Sequence, residues 1–350
     1  MENKLLKLRE ILEERGLDGI VIEKQMNFSW LTGGRGFIGL ASENACGSIV
    51  VTKNDVCLVT NNIEAPRLSE VELPNGIKSA DFLWCEESKR AELIKETAGE
   101  NVAADSQLAG EFFGLRTILD SDEVESYRKA AKITATHLEN SMKALKSGMS
   151  EFDLAGDLSA RLWSEGIEPI TLLIAFDDNI YKYRHPLPTK NKLKNHAMGV
   201  VCARYKGLIV SASRLAYIGD KLPDDLCNRH NAVVDVDAKL INATRPNVKL
   251  GELFNLLSDA YSQNGYTDEW KLHHQGGLTG YVAREIRAMP NDDTYEVKQN
   301  QAYAWNPSVT GTKSEDTIFA GETGNEILTH TGEWKYVETN GILRPDILLI

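Results

Sequence analysis

The first third of the chain alternates between helix-like and strand-like spacing of apolar residues. Over 4–15, leucine and isoleucine recur every three or four positions, which predicts a helix with one apolar face that ends at Gly16. The apolar run 17–22 predicts a buried strand, and the pattern over 48–60 predicts a hairpin around a polar turn. We therefore expect an α/β domain over 1–117, with a mixed sheet and flanking helices.

The pattern changes beyond residue 120. Asp122 with Glu125 has the spacing of a capping box and predicts the start of a long helix. From residue 167 onwards, short β-rich runs predominate, interrupted by helices predicted at about 223–244 and 250–264. This alternation predicts an α+β domain over 122–350 with a mostly antiparallel sheet.

Composition narrows the classes of partner. Of 350 residues, 51 are acidic and 39 are basic, giving a net charge of −12, which disfavours nucleic acid as a partner. No apolar run approaches the roughly 20 residues of a membrane span, and the charged N-terminus does not resemble a signal peptide. The five widely spaced cysteines form no CxxC motif. We expect a cytoplasmic protein with reduced thiols that acts on a small molecule or a short peptide.

Candidate chemistry concentrates in the second half of the chain. Polar side chains lie beside glycine or proline in four segments, at 183–189, 211–214, 273–278 and 306–308 with 314–317. A histidine alone is usually a surface or satisfied core residue, and adjacent acidic residues are usually a solvated turn. The histidine doublet His273-His274 is a better candidate for a functional site, because Gly276 and Gly277 follow it and glycine lets a ligand or backbone approach closely.

The ordered set of segments resembles the creatinase/prolidase/methionine-aminopeptidase family, whose catalytic half has the pita-bread fold. The motifs GLDGIVI and NFSWLTG, within 16–33, resemble the opening of its N-terminal domain, and residues from 122 onwards resemble its catalytic domain. The resemblance implies a homodimer in which the N-terminal domain caps the partner's pocket. Arg35, in the TGGRGF motif, and Trp30 are the residues that we expect to reach across.

Metal-dependent members of that family hold two divalent ions with two aspartates, one histidine and two glutamates. The resemblance assigns these five positions to Val200, Ser211, His274, Asn306 and Glu315, so that two of the five ligands are retained. A valine offers no ligand atom, and hard dications need several oxygen ligands. We therefore predict that the dinuclear site is lost and that no cofactor is needed, with a single weakly bound ion on His274 and Glu315 as the alternative.

The same family has a metal-free branch, to which creatinase belongs. The segment beginning His185-Pro186 resembles creatinase's His-Asn-Pro-Val-Thr, which implies that His185 is the general acid and base while His274 and Glu315 position water or substrate. Arg284 resembles the arginine that grips the substrate carboxylate, although it could instead pair with Glu285 or Glu322 at the surface. Further residues predicted to contact substrate are Tyr281, His273, Gln275, Ser211 and Asn306.

The sequence thus predicts a metal-independent hydrolase that cleaves a C–N bond, of amide, amidine or guanidino type, in a small carboxylated nitrogen compound. Ser213 stands where creatinase has a second glutamate, which argues against creatine itself. Two alternatives remain open. One is a metallopeptidase of the Xaa-Pro aminopeptidase or dipeptidase type, and the other is a catalytically inactive peptidase-like protein that binds a peptide or protein partner.

Overall fold

The computed structural model describes residues 1–321 and 324–350. The chain divides into two compact units, residues 1–117 and 118–350. Within the described residues, no helix is both long enough and apolar enough to cross a membrane.

The first unit is built on a five-stranded sheet in the order β4-β3-β2-β1-β5. Strand β1 pairs antiparallel with β2 and parallel with β5, so the sheet is mixed, as predicted. A π-helical turn, Leu68–Glu72, follows α3. In chain order the elements are α1 (Glu2–Arg15), β1 (Gly19–Lys24), α2 (Gln25–Thr32), β2 (Asn44–Thr52), β3 (Val56–Asn61), α3 (Ala65–Arg67), β4 (Lys78–Phe82), α4 (Lys89–Ala98), β5 (Val102–Ala104) and α5 (Ala109–Thr117).

Trp30 and Arg35 of this unit are the two residues predicted to reach the pocket of a partner subunit. Trp30 lies in α2, is 1% exposed and packs edge-on against Phe112 at 6.0 Å between ring centroids. The expectation that Trp30 reaches another subunit is therefore wrong, because the ring belongs to the core of its own unit. Arg35 is half-exposed, and its guanidinium forms an ion pair of 3.0 Å with Glu72 in the same unit.

The second unit is mostly antiparallel, as the sequence predicts. One sheet has the order β18-β8-β7-β6, with β18 and β8 parallel, and a second has the order β10-β9-β11-β14-β15. A short 3₁₀ turn, Glu269–Leu272, precedes β9. The elements are α6 (Ser121–Lys143), α7 (Glu151–Ser164), β6 (Glu168–Phe176), α8 (Asp178–Lys182), β7 (His196–Tyr205), β8 (Leu208–Tyr217), α9 (Asp224–Ala243), α10 (Leu250–Gln263), β9 (Gly276–Thr279), β10 (Ile286–Arg287), β11 (Gln301–Trp305), β12 (Ser308–Val309), β13 (Thr312–Lys313), β14 (Asp316–Ala320), β15 (Glu326–Ile327), β16 (Tyr336–Thr339), β17 (Ile342–Pro345) and β18 (Leu348–Leu349).

The capping box of α6 lies two residues earlier than predicted. The side chain of Asp120 accepts from the Glu123 N–H at 2.9 Å, and the Glu123 carboxylate accepts from the Asp120 N–H at 2.8 Å. Both Asp120 with Glu123 and Asp122 with Glu125 have the required spacing, so spacing alone could not choose between them. The extended backbone of Asp120 decides the choice, and the prediction of Asp122 as the cap is wrong.

The β7–β8 hairpin brings Val200 and Ser211, which the resemblance assigns to the two aspartate positions, onto one face of its sheet. Val200 is paired with Ser213 across the hairpin, and Cys202 is paired with Ser211, so these four side chains share a face. The opposite face carries Val201 and packs in an apolar cluster with leucines of α6 and α7. The helices therefore cover one face of the hairpin, whereas the other combines the apolar Met198 and Val200 with Cys202, Ser211 and Ser213.

Candidate active site

Three histidines from two segments of the second unit converge. Ring centroids lie 4.8 Å apart for His185 and His273, 5.5 Å for His185 and His274, and 4.6 Å for His273 and His274. The Nε2 atoms of His185 and His273 are 3.0 Å apart, a hydrogen-bonding distance. His185 is exposed, His273 is buried and His274 is half-buried. We call these three residues the histidine cluster.

Local contacts hold the two histidine-bearing segments together. Arg184, next to His185, donates to the Glu269 carboxylate at the 3₁₀ turn that leads to His273. On the other side, Gly276 has φ +101°, and a Cβ there would lie 2.1 Å from the Ala304 carbonyl oxygen. Only glycine lets β9 approach β11 this closely, so the glycine motif positions the histidine doublet just before β9.

Gln275 supports the doublet and does not face a substrate. Its side-chain amide donates to the carbonyls of His273 and Trp270, and its Oε1 accepts from the Tyr261 hydroxyl at 2.9 Å. Gln275 is 1% exposed. The prediction that Gln275 binds substrate is therefore wrong, since the polar atoms of its side chain are already occupied.

Glu315 lies between two cations. The Arg284 guanidinium is 3.0 Å from its Oε1, and the Lys313 ammonium is 2.9 Å from its Oε2. The Ser213 hydroxyl also donates to Oε2, at 2.7 Å. All three charged side chains are less than a tenth exposed. We call Glu315, Lys313 and Arg284 the site cluster.

Lys313 is the functional residue that the sequence reasoning missed. Side chains alternate between the two faces of extended backbone, so Lys313 lies on the same face as Glu315. Ser314 and Asp316 lie on the other face, where the Ser314 hydroxyl donates to Asp237 and Asp316 pairs with Arg214. The alternation of side chains along Lys-Ser-Glu-Asp was visible in the sequence. It would have predicted that the lysine lies beside Glu315.

The charges of the site cluster shape its proton affinities. Burial alone would raise the pKa of Glu315, but Lys313 and Arg284 together hold it below its usual value. Burial, with Arg284 and Arg287 next in importance, lowers the pKa of His274 to about 4. The pKa of His185 is lowered by partial burial and by Lys313, with Glu315 opposing. These imidazoles are therefore neutral at neutral pH.

The remaining predicted residues fall into two groups. Ser211 accepts a long hydrogen bond of 3.4 Å from Arg284, and the buried Asn306 Oδ1 has no hydrogen-bond partner within the described residues. Arg284 pairs inside the unit, with Glu315. Glu322, one of its predicted surface partners, lies outside the described residues.

Tyr281 does not face the site, because its ring is buried and its hydroxyl donates to Glu123 at the start of α6, at 2.7 Å. The prediction of Tyr281 as a substrate contact is corrected to a structural role.

Comparison with known proteins agrees with this fold. The model of metallopeptidase family M24 matches residues 125–328, more than half of the chain, and the model of the creatinase/prolidase N-terminal domain matches residues 4–135. The chain therefore belongs to the M24 family. The predicted resemblance to the creatinase/prolidase family and the predicted pita-bread architecture are confirmed.

Individual relatives are distant. A protein described as an uncharacterized peptidase of Staphylococcus aureus is 24% identical over 228 residues, which span 62% of this chain and 63% of that protein, less than two thirds of its length. The structure of a prolidase from Pyrococcus horikoshii superposes with a TM-score of 0.78 at 18% identity, covering 97% of this chain and 100% of that one. A Xaa-Pro dipeptidase from Bacillus anthracis gives 0.78 at 17% identity, covering 100% and 99%. At these identities the superpositions establish the fold.

The residues present do not fit the dinuclear metal centre that the family implies. Val200, which the resemblance assigns to the first aspartate position, packs in an apolar cluster with Leu173 and Met198. Both oxygens of Glu315, which it assigns to the last glutamate position, already contact cationic side chains. A pair of dications there would meet the repulsion of an ammonium and a guanidinium, and only Glu315 could supply a carboxylate among the five positions.

Proposed function

We propose that this protein hydrolyses a C–N bond in a small, carboxylate-bearing, peptide-like compound without a dinuclear metal centre. Membership of a peptidase family supports C–N bond hydrolysis as the reaction. The names of the structural neighbours, prolidase and Xaa-Pro dipeptidase, support a dipeptide or similar amide as the substrate class. The observation that carries the metal-independent mechanism is the pairing of Glu315 with Lys313 and Arg284.

The charge of the site cluster favours an anionic ligand. The cluster contains two cations and one carboxylate, so it keeps one net positive charge in a largely buried location. The Arg284 Nε is buried and has no hydrogen-bond partner within the described residues. A substrate carboxylate would supply that partner and neutralise the excess charge. This supports Arg284 as the carboxylate anchor.

The histidine cluster supplies the proton chemistry. His185 is exposed and neutral, so its free nitrogen accepts a proton from water as the water oxygen attacks the carbonyl carbon. The imidazolium then returns a proton to the departing nitrogen when the C–N bond breaks. The Nε2 of His273, 3.0 Å from that of His185, orients the ring. Lys313 stabilises the negative charge that develops on the carbonyl oxygen.

A metal-dependent Xaa-Pro dipeptidase is the second candidate, because the structural neighbours carry those names. It would bind its ions through His274 and Glu315. The two candidates differ in what removal of metal does. After chelator treatment the first retains turnover, whereas the second loses turnover and regains it with added manganese or cobalt.

The test is an assay of chelator-treated protein, with its metal content measured, on Xaa-Pro dipeptides, creatine, ectoine and hydantoin-derived acids. We expect turnover without metal, and a fall of about 10²–10⁴-fold in His185→Ala. His137→Ala, which removes a histidine of α6 that lies 3.8 Å from Glu165 and outside the histidine cluster, is the matched control and should retain activity. Turnover that requires added metal would establish the dipeptidase, and ligand binding that survives His185→Ala without any turnover would establish the inactive binding protein.

A further inference from the structure

We propose that the histidine cluster binds a single zinc-type divalent ion, and that this ion inhibits the enzyme. Its ligands would be His185, His273 and His274. Only His274 belongs to the five family metal positions, so this site differs from the dinuclear centre that the residues fail to fit. The inhibitory part rests on the proposed function, whereas the binding part stands on the geometry alone.

The geometry of the cluster is close to that of a three-histidine metal site. One ring nitrogen from each histidine lies within 4.8 Å of the other two. Zinc binds imidazole nitrogen at about 2.0–2.1 Å, and tetrahedral geometry then separates two ligand nitrogens by about 3.3 Å. The Nε2 atoms of His185 and His273 are 3.0 Å apart, near that separation. A nitrogen pair at the 4.8 Å limit would have to close by about 1.5 Å, which the exposed loop position of His185 allows if its ring moves inward.

The ring nitrogens of the cluster are available for a metal ion. The Nδ1 atoms of His273 and His274 are buried and have no hydrogen-bond partner within the described part of the chain. With the proton on Nδ1, each of these two rings keeps its Nε2 lone pair available to a metal ion, and the Nε2 of His273 faces that of His185. The exposure of His185 leaves an entry path and a fourth coordination position for water.

The surroundings select the kind of ion. Neutral imidazoles suit zinc, nickel and copper, whereas magnesium and manganese need oxygen ligands. The nearest carboxylate of the site, Glu315, is already paired on both oxygens. Lys313 and Arg284 oppose any dication, so binding should be reversible by a chelator. Coordination through the Nε2 of His185 would leave its proton on Nδ1, so neither ring nitrogen would keep a lone pair to accept the proton of the attacking water, which is why occupancy inhibits.

The binding test is titration of chelator-treated protein with Zn²⁺ by calorimetry and with Co²⁺ by visible absorption. We expect one Zn²⁺ per chain, a tetrahedral Co²⁺ spectrum, and no binding of Mg²⁺ or Mn²⁺ at the same concentrations. His273→Ala and His185→Ala should each weaken Zn²⁺ binding by at least about tenfold, because loss of an outer partner alone costs that much. His185 lies in an exposed loop, so its variant keeps the test valid if His273→Ala misfolds.

Two controls separate this site from its alternatives. Glu315→Gln should still bind one Zn²⁺ per chain, more weakly only because a nearby negative charge is lost, and His137→Ala should leave Zn²⁺ affinity unchanged. Loss of binding in Glu315→Gln, or full binding in both cluster variants, would overturn the proposal.

Inhibition is tested by adding Zn²⁺ to the assay, where turnover should fall over the concentrations at which binding saturates. If Zn²⁺ binds through the cluster but metal-free protein turns over no substrate, the proposed function fails and the ion site stands.

Discussion

Two groups of buried ion pairs flank β14, one on each face of the extended segment that leads into it. The site cluster of Glu315, Lys313 and Arg284 lies on one face. On the other, Asp316 contacts Arg214 at 3.0 Å and Arg344 at 2.8 Å. Each arginine pairs with one further carboxylate in what we call the core cluster, which consists of Glu139, Arg214, Asp237, Asp316 and Arg344.

The two clusters differ in sign and in access. The core cluster has three carboxylates for two arginines and is at most 1% exposed throughout. Burial raises the pKa of Asp237, and the Arg344 guanidinium opposes that shift. The site cluster instead has one excess positive charge and adjoins the exposed His185. The core cluster is thus closed to any ligand, whereas we propose that an anionic substrate balances the charge of the site cluster.

The largest expected effect is on stability, from loss of an arginine in the core cluster. Arg214→Met should lower the free energy of unfolding by about 3–5 kcal/mol, because Glu139 would keep no cationic partner within the described residues. Arg284→Met should cost clearly less, since Glu315 retains Lys313 and Ser213. Urea denaturation of both variants measures the difference, and equal losses would contradict the distinction between the clusters.

Lowering the pH should destabilise the protein more through the buried His196 than through His274 of the histidine cluster. Burial, with His230 contributing, lowers the pKa of His196 to about 4, from 6.5 in the unfolded chain. Above pH 6.5 the histidine is neutral in both the folded and the unfolded chain, so stability is unaffected. Between pH 6.5 and 4 only the unfolded chain binds the proton, and the free energy of unfolding should fall by about 3 kcal/mol. His196→Gln should flatten this dependence over that range, and His274→Gln should flatten it less because His274 is partly solvated. Chemical denaturation at several pH values provides the measurement, and identical profiles for wild type and His196→Gln would refute the assignment.

A smaller effect tests the corrected role of Tyr281. Tyr281→Phe removes the hydrogen bond to Glu123 and should lower the free energy of unfolding by about 1.5 kcal/mol. Turnover should be unchanged, because the hydroxyl faces the start of α6. A loss of activity with unchanged stability would restore Tyr281 to the substrate contacts. Denaturation and steady-state kinetics on the same preparation decide between these outcomes.

The smallest effect concerns the electrostatics of the site cluster. Lys313→Met should raise the pKa values of His185 and His274, because Lys313 is among the charges that lower both. Proton NMR titration of the imidazole resonances measures the shift. Lys239→Met, which removes an exposed lysine paired with Asp235, is the control and should move neither pKa. Unchanged histidine titrations in Lys313→Met would remove the electrostatic link.

Much of the fold followed from the sequence because its signals are local. The spacing of Leu5, Leu8, Ile11 and Leu12 predicts the buried face of α1, and Gly16 ends the helix at φ 63°. Where two local signals competed, as at the start of α6, the sequence could not decide. The roles of Gln275 and Tyr281 were also missed, because their hydrogen-bond partners lie elsewhere in the chain.

From the sequence by itself, the family resemblance assigned neutral residues to three acidic ligand positions and singled out His185, His274 and Glu315. Only the tertiary structure decided what replaces the lost charge balance. His185 meets His273 across 88 residues, and Arg284 reaches Glu315 across 31. Such pairings depend on where strands and loops bring distant side chains together. The spacing of residue types encodes periodicity and caps, but the electrostatic field at a buried carboxylate is the sum over its neighbours in space.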